Sequence, residues 1–460
     1  MRVLLLSTYE MGRQPFGLAS PVAWLAQAGF EVRPVDLSRE PLPLEAVRAA
    51  GLIACYLPMH TATRLATKVI ERVRQENPAA HLCCYGLYAP LNAAFLRARG
   101  VQTILGAEFE ADLVALARRI AGGAAGGGDD PQEVLSAPAA GRDLPRLSFL
   151  VPDRRQLPPL SRYASLQIGD GSRKTVGYTE ASRGCRHRCR HCPIVPVYGG
   201  RFRVVPPDVV LADIRAQVAA GAAHITFGDP DFLNGPRHAR AVIDGLAREW
   251  PGLTYDVTVK VEHLLRDPAM LAQLQQTGCL FVTTAVEAVD DRILALLDKG
   301  HTRADFARAV ALCREAGLAL CPTFVAFTPW TTRQGYRDLL DMVDDLDLVE
   351  QVAPIQLAIR LIVTAGSRLL ELPEIRRLVG AFDPEALSYR WTHEDPDVDA
   401  LQREVMGLVG RQPTAPRRAL FDAVRTLAGE AAGPGRSPSR IGPPARDRAT
   451  VPYLNEPWYC

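Results

Sequence analysis

Three of the ten cysteines in this 460-residue chain stand within eight residues of one another. Cys185, Cys189 and Cys192 give Cys-x3-Cys-x2-Cys in the segment Ser182-Arg183-Gly184-Cys185-Arg186-His187-Arg188-Cys189-Arg190-His191-Cys192-Pro193. Ten cysteines scattered at random would produce this spacing roughly once in a few hundred chains of this size, so a ligand loop explains it better than chance. Thiolates are the usual ligands of iron–sulfur clusters, and three local sulfurs on four irons leave one iron without a protein ligand. A vacant position of that kind separates catalytic metal sites from closed structural ones. The alternative ligand set is Cys3His zinc, with His187 or His191 as the fourth ligand, which would make the chain a non-catalytic interaction protein.

The elements that must position this loop can be read from hydrophobic patterning. Val3 to Ser7, Leu52 to Tyr56, His81 to Tyr85 and Thr103 to Leu105 are short apolar runs separated by helix-length segments, among them Thr61 to Glu76 and Ala89 to Arg99, and closed by Glu108 to Ile120. This predicts a doubly wound α/β domain with a parallel sheet over residues 1–121. Residues 122–174 read as linker and connector, because Gly122 to Gly141 is Gly, Ala, Pro and Asp and cannot bury a core.

Over 175–372 the alternation resumes. Strands are predicted at Gly177 to Ala181, His224 to Phe227, Tyr255 to Val259, Phe281 to Ala285, Leu318 to Val325 and Ile355 to Leu361. Helices fall between them at Pro207 to Ala220, Arg237 to Trp250, Pro268 to Thr277, Arg303 to Ala316 and Arg333 to Leu346. Six units predict a parallel (β/α)6 partial TIM barrel, whose chemistry belongs at the C-terminal strand ends. The cysteine loop follows the first of these strands. A helical extension is expected over 373–428, and a disordered Gly/Pro/Ser/Arg stretch with a cysteine-ending tail over 429–460.

Bulk composition narrows the function classes. A formal charge of +2 gives no footprint for nucleic acid or anionic membrane. No apolar stretch is long enough to span a bilayer, and the four-residue apolar run Val3 to Leu6 ends in polar Ser7, Thr8 and Glu10, which suits a buried strand better than a signal peptide. The expectation is a cytoplasmic protein whose cysteines serve metal or redox chemistry.

The cysteine spacing and its place after the first barrel strand resemble the radical S-adenosylmethionine superfamily. The resemblance implies a [4Fe–4S] cluster on Cys185, Cys189 and Cys192, S-adenosyl-L-methionine chelated by the open iron, and reductive cleavage to a 5′-deoxyadenosyl radical. Phe227-Gly228-Asp229-Pro230-Asp231-Phe232 is similar to the family's Gly-Gly-Glu motif, which assigns Gly228 and Asp229 to the amino group of the cofactor. An acid there can accept from an ammonium while glycine lets backbone come close. Ala285-Val286-Glu287-Ala288, followed by Lys299-Gly300-His301-Thr302, resembles the stretch around the fourth strand and places Glu287 near the cofactor. In the fifth strand, Thr323 to Pro329 lacks the family's usual adenine-contacting glycines.

Arg183, Arg186, Arg188, Arg190, Arg201 and Arg203 surround the loop and would either dock an acidic low-potential electron donor of the flavodoxin or ferredoxin type or simply solubilise it. The first domain resembles the cobalamin-binding domain of one subgroup, but the Asp-x-His-x-x-Gly signature is missing: the chain reads Thr8-Tyr9-Glu10-Met11-Gly12-Arg13, and His60 follows the Leu52 to Tyr56 strand instead. Cobalamin is therefore left open and not expected, with a cobalamin-dependent radical methyltransferase as the alternative reading. The ending Pro452-Tyr453-Leu454-Asn455-Glu456-Pro457-Trp458-Tyr459-Cys460 resembles the superfamily group named for a tail of Cys, then Cys or selenocysteine, then Ala-Glu-Pro, which implies a selenocysteine codon after Cys460. A vicinal Cys-Sec pair would serve as a redox centre. The substrate, a small molecule or a peptide, is not written in the sequence, because strand-end loops choose it. An RNA substrate is not expected, since no basic C-terminal domain follows the barrel.

Overall fold

The computed structural model describes residues 1–106, 108–122, 134–135, 148–168, 171–412 and 415–429. Its first unit is a parallel sheet of β1 (Arg2–Ser7), β2 (Glu31–Asp36), β3 (Leu52–Tyr56), β4 (His81–Tyr85), β5 (Thr103–Leu105) and β6 (Val134–Leu135) in the order β2-β1-β3-β4-β5-β6. Its central strands alternate between two apolar faces, as the two-residue period of a strand requires. Val3, Leu5, Leu52, Ala54, Cys83 and Tyr85 pack on the helices Phe16–Gln27 and Glu110–Ala121. Leu4, Leu6, Ile53, Cys55, Leu82 and Cys84 pack on the other face, against the helix His60–Glu76.

The sequence reading missed β2. Its Glu31-Val-Arg-Pro-Val-Asp36 is polar and carries a proline, which an edge strand tolerates and a central strand does not. The expected helix Ala89 to Arg99 is two short helices, Tyr88–Leu91 and Ala93–Ala98, interrupted at Asn92.

The second unit is a curled sheet of β7 (Ser165–Gln167), β8 (Arg173–Thr179), β11 (His224–Phe227), β12 (Thr254–Thr258), β13 (Cys279–Glu287) and β14 (Ala319–Phe324), in the order β14-β13-β12-β11-β8-β7. All pairings are parallel except the β7–β8 hairpin at one edge. A short ladder, β9 (Ser182–Gly184) with β10 (Phe202–Val204), stands beside it. Helices alternate with the parallel strands and bury one large core, giving the expected partial barrel.

The sixth predicted strand is corrected. Ile355 to Leu361 holds a 3-10 turn, Pro354–Leu357, and meets the sheet only through the Phe327–Arg360 bridge. Gln356 explains this, because its side-chain oxygen accepts from Phe324 N at 2.9 Å and so occupies the β14 edge. The C-terminal extension is corrected too: besides the helices Pro396–Arg411 and Arg417–Leu427 it contains an antiparallel pair, β15 (Val379–Asp383) with β16 (Ser388–Trp391). Residues 123–133 and 136–147 of the linker and residues 430–460, Cys460 among them, lie outside the described residues.

Candidate active site

The cysteine loop is held at both ends by backbone. Phe202, Arg203 and Val204 of β10 pair with Gly184, Arg183 and Ser182 of β9, which closes Cys185 to Arg201 into one excursion from the barrel mouth. Gly184 takes φ +74°, and a Cβ there would overlap the Tyr198 ring, so only glycine makes the turn into the first cysteine. Farther along, Arg190 N donates to Leu297 O and Ser367 Oγ donates to Arg190 O. Arg190 and Arg368 also hold carbonyls, those of Leu296 and Arg188. These guanidinium groups are structural. Arg186 and Arg188 remain exposed.

Cys185 and Cys189 are buried and Cys192 is half-buried. The thiols sense one another: burial pushes Cys192 up to about 12, with Cys189 and Cys185 adding to it, and burial also raises Cys185. Two buried ammonium groups face them. Lys260, at the end of β12, places Nζ 3.9 Å from Cys189 Sγ. Burial alone would lower Lys299; the Glu287 carboxylate, with Cys189 and Cys192 adding to it, raises it instead. Lys299 pairs with Glu287 at 3.3 Å and Lys260 lies 3.9 Å from Glu262, and both ammonium groups also face the thiols; a cubane held by three thiolates, which carries net negative charge, suits that positive surround. The loop histidines bear on the zinc alternative. His191 Nε2 lies 3.1 Å from Glu287 Oε1, and His187 faces Asp231 and Glu262. Both rings turn to carboxylates and do not complete a Cys3His set.

The remaining expected contacts sort differently. Glu287 ends β13 beside a register shift, with φ +71°, a strained conformation for a non-glycine residue and one that clusters at functional sites. Burial would raise its carboxyl, but Lys299 at 3.3 Å and His191 hold it at about 2. It thus ties the cysteine loop to the fourth parallel strand. Asp229 is also buried, and both its oxygens are engaged: Oδ2 accepts from Ala181 N at 2.9 Å and Oδ1 from Ser182 Oγ at 2.5 Å. Burial lifts it to about 7. It braces the entry to the cysteine loop. A Cβ on Gly228 would overlap the Tyr178 hydroxyl, so in this structure the space above that glycine belongs to a tyrosine.

Sequence reasoning missed Lys260 and His263, and quoted Asp231 in its stretch without a role. None has a spacing signal of its own, and each matters only through partners on other strands. His301 was quoted in its stretch without a role. It is buried, and burial, with Lys299 and Lys260 adding to it, lowers it to about 4.

The first unit presents the C-terminal ends of its strands to this site. Arg183 is buried and binds Glu110 at 2.7 Å, Glu180 at 2.9 Å and Glu108 at 3.9 Å, so it is no part of a solvent-facing basic patch. Tyr198 Oη donates to Glu108 Oε1 at 2.8 Å, and Arg154 bridges Asp213, Gln14 and the Tyr178 carbonyl. Between the units remains a cavity of about 210 Å3 lined by Glu10, Tyr56, Phe109, Tyr178, Arg183 and Tyr198, among others. That volume is below the usual range for a drug-sized ligand. His60 is engaged elsewhere: its Nε2 lies 2.6 Å from Ala386 O. The lining of this cavity includes no histidine that could ligate cobalt.

A partial barrel with a three-thiol loop after its first parallel strand, joined to a doubly wound unit, defines a class of iron–sulfur enzyme architecture. Residues 179–346 match the Radical SAM superfamily model, so the barrel is a radical SAM domain, which implies a [4Fe–4S] cluster and S-adenosylmethionine. The ribosomal protein uS12 methylthiotransferase RimO of Geobacter sulfurreducens is 25% identical over 226 residues, 44% of this chain and 49% of that protein. The chain spans about half the length of the curated relatives it matches. Among solved structures, the radical S-adenosylmethionine methyltransferase TsrM from Kitasatospora setae has TM-score 0.66 at 19% identity, over 81% of this chain and 76% of that one. The cobalamin-dependent S-adenosylmethionine radical enzyme OxsB has TM-score 0.70 at 13% identity, over 93% and 71%. At these identities the likeness is one of fold.

Proposed function

We propose that this chain is a radical S-adenosylmethionine enzyme that holds its cluster on Cys185, Cys189 and Cys192 and acts on a small molecule or a peptide segment. The carrying observation is the meeting of three thiols with two buried ammonium groups at the mouth of a partial barrel. When bound, the cluster supplies one electron and a coordination position for S-adenosylmethionine, the chemistry that yields a 5′-deoxyadenosyl radical. The chain's own residues do the rest. Lys260 and Lys299 offset the negative charge of the thiolates, and Glu287 fixes Lys299 and His191. Asp229 holds the entry strand, and Gly228 and Asp229, at the end of β11, would be the residues nearest the cofactor's amino group as the family motif implies.

The cavity between the two units, next to Gly184 and Gly228, is the substrate chamber in this reading. Its size suits a compact group, and a cobalamin-dependent methyl transfer is the second reading, favoured by the fold shared with TsrM and OxsB. Exposed Arg186 and Arg188 supply positive charge for docking an acidic flavodoxin- or ferredoxin-type donor. No helix among the described residues is long and apolar enough to cross a membrane, which supports a cytoplasmic site of action alongside the reduced thiols. The test is anaerobic reconstitution followed by dithionite and S-adenosylmethionine. Release of 5′-deoxyadenosine by the wild-type chain, and none by Cys189→Ala, is expected. No 5′-deoxyadenosine from a protein loaded with iron would overturn the proposal.

A further inference from the structure

Beside the cysteine loop a second set of ligand-type side chains converges. His187 comes from the loop itself, Asp231 from the turn after β11, and His263 from the helix Val261–Arg266 after β12. Each offers one ligand atom, and these atoms all lie within 4.8 Å of one another. Among the described residues no other group of His, Cys, Asp and Glu is as tight. All three sit at C-terminal strand ends, where barrel enzymes place their chemistry.

The contacts within this group are close without being hydrogen bonds. His263 Nδ1 lies 2.8 Å from Asp231 Oδ2, and His187 Nε2 lies 3.5 Å from the same oxygen. Yet Asp231 Oδ2, His187 Nε2 and both nitrogens of His263 have no hydrogen-bond partner of acceptable geometry. Asp231 is fully buried and His263 nearly so. A buried carboxylate oxygen without a donor is costly and rare. Nitrogen and oxygen lone pairs that approach but do not point at one another can point at a common third atom. Bonds of 2.0–2.2 Å to one ion put neighbouring ligand atoms about 2.8 to 3.6 Å apart, from the octahedral to the tetrahedral case. The two observed separations fall within that range.

The surroundings suit an ion as well. Asp231 Oδ1 accepts from Leu233 N at 3.3 Å, which fixes the carboxylate and leaves Oδ2 to the cluster of ligands. The other ring nitrogen of His187, Nδ1, lies 3.7 Å from Glu262 Oε2, the kind of outer carboxylate that orients a metal-binding imidazole. The nearby Lys260 ammonium lies 3.9 Å from both Glu262 and Cys189.

We propose that His187, Asp231 and His263 bind one divalent transition-metal ion at a site separate from the three cysteines. Two imidazoles and a carboxylate form a nitrogen and oxygen set that leaves open positions on the ion for water or an oxygen atom of a substrate. It would also pin the middle of the cysteine loop to the second and third parallel strands.

Cobalt(II) is the probe, because it is distinguishable from cluster iron. Full-length protein with its cluster reconstituted is incubated anaerobically with Co2+ and desalted, then read by elemental analysis and cobalt-edge X-ray absorption. About one cobalt per chain is expected on top of unchanged iron, in a shell of nitrogen and oxygen without sulfur. His263→Phe and Asp231→Asn should each weaken cobalt binding by tenfold or more. His187→Ala, on the half-exposed loop, carries the same expectation if a buried variant does not fold. Wild-type protein that keeps no cobalt, a shell containing sulfur, or retention unchanged in the folded variants would each overturn the site.

Discussion

Glu108→Gln tests how the first unit is seated on the barrel. Glu108 is buried, accepts from Tyr198 Oη, and has an Oε2 atom without a hydrogen-bond partner. Burial raises its carboxyl from the ordinary 4.5 to about 7 despite the opposing pull of Arg183. A group whose acid form is favoured by folding stabilises fully below its unfolded value and loses that contribution as pH climbs from 4.5 to 7. At pH 8 the loss comes to about 3 kcal/mol. Glutamine cannot ionise and still offers Tyr198 an oxygen, so the variant should match wild type near pH 4.5 and exceed it at pH 8. Spread over the ordered chain, that is roughly 3 °C in Tm if the two units unfold together. Thermal melts of cluster-free protein at both pH values read it out. An equal difference at the two pH values, or a variant less stable at pH 8, refutes the seating described for Arg183 and its carboxylates.

Lys299→Met leaves Glu287 buried with only His191. Stability should fall by about 3–5 kcal/mol, and the cluster should become harder to reduce once a neighbouring positive charge is gone. Chemical denaturation and an EPR-monitored redox titration check the two effects. Gly184→Ala forces a side chain into the Tyr198 ring at positive φ; more than about 1 kcal/mol of stability and most of the reconstituted iron should be lost, as melts and iron assay would show. Hydroxocobalamin added to folded protein should keep its own absorption spectrum, because the cavity lining offers no histidine to ligate cobalt; a spectral shift on mixing would count against that.

What was legible in the sequence was whatever rests on local chemistry. The cysteine loop announces itself through spacing, and β3, β4, β5 and β11 follow from apolar runs bounded by turns. The features that escaped depend on position in the whole. β2 is polar because it is an edge. Ile355 to Leu361 is apolar enough for a strand, but Gln356 already satisfies the edge it would join. The β15–β16 pair is mixed in polarity because the described residues place it near the surface. Likewise the sequence motif assigns Asp229 to the cofactor's amino group, and only the fold reveals that Ala181 and Ser182 occupy both its oxygens. Lys260, Asp231 and His263 acquire meaning from neighbours that sequence separation conceals.

The central claim is that three sulfurs leave one iron open to S-adenosylmethionine. The direct measurement is the EPR spectrum of the dithionite-reduced, reconstituted protein before and after the cofactor is added. A clear change in g-values on addition is expected, because ligation at the open iron alters the cluster itself. Identical spectra at saturating cofactor would contradict the account.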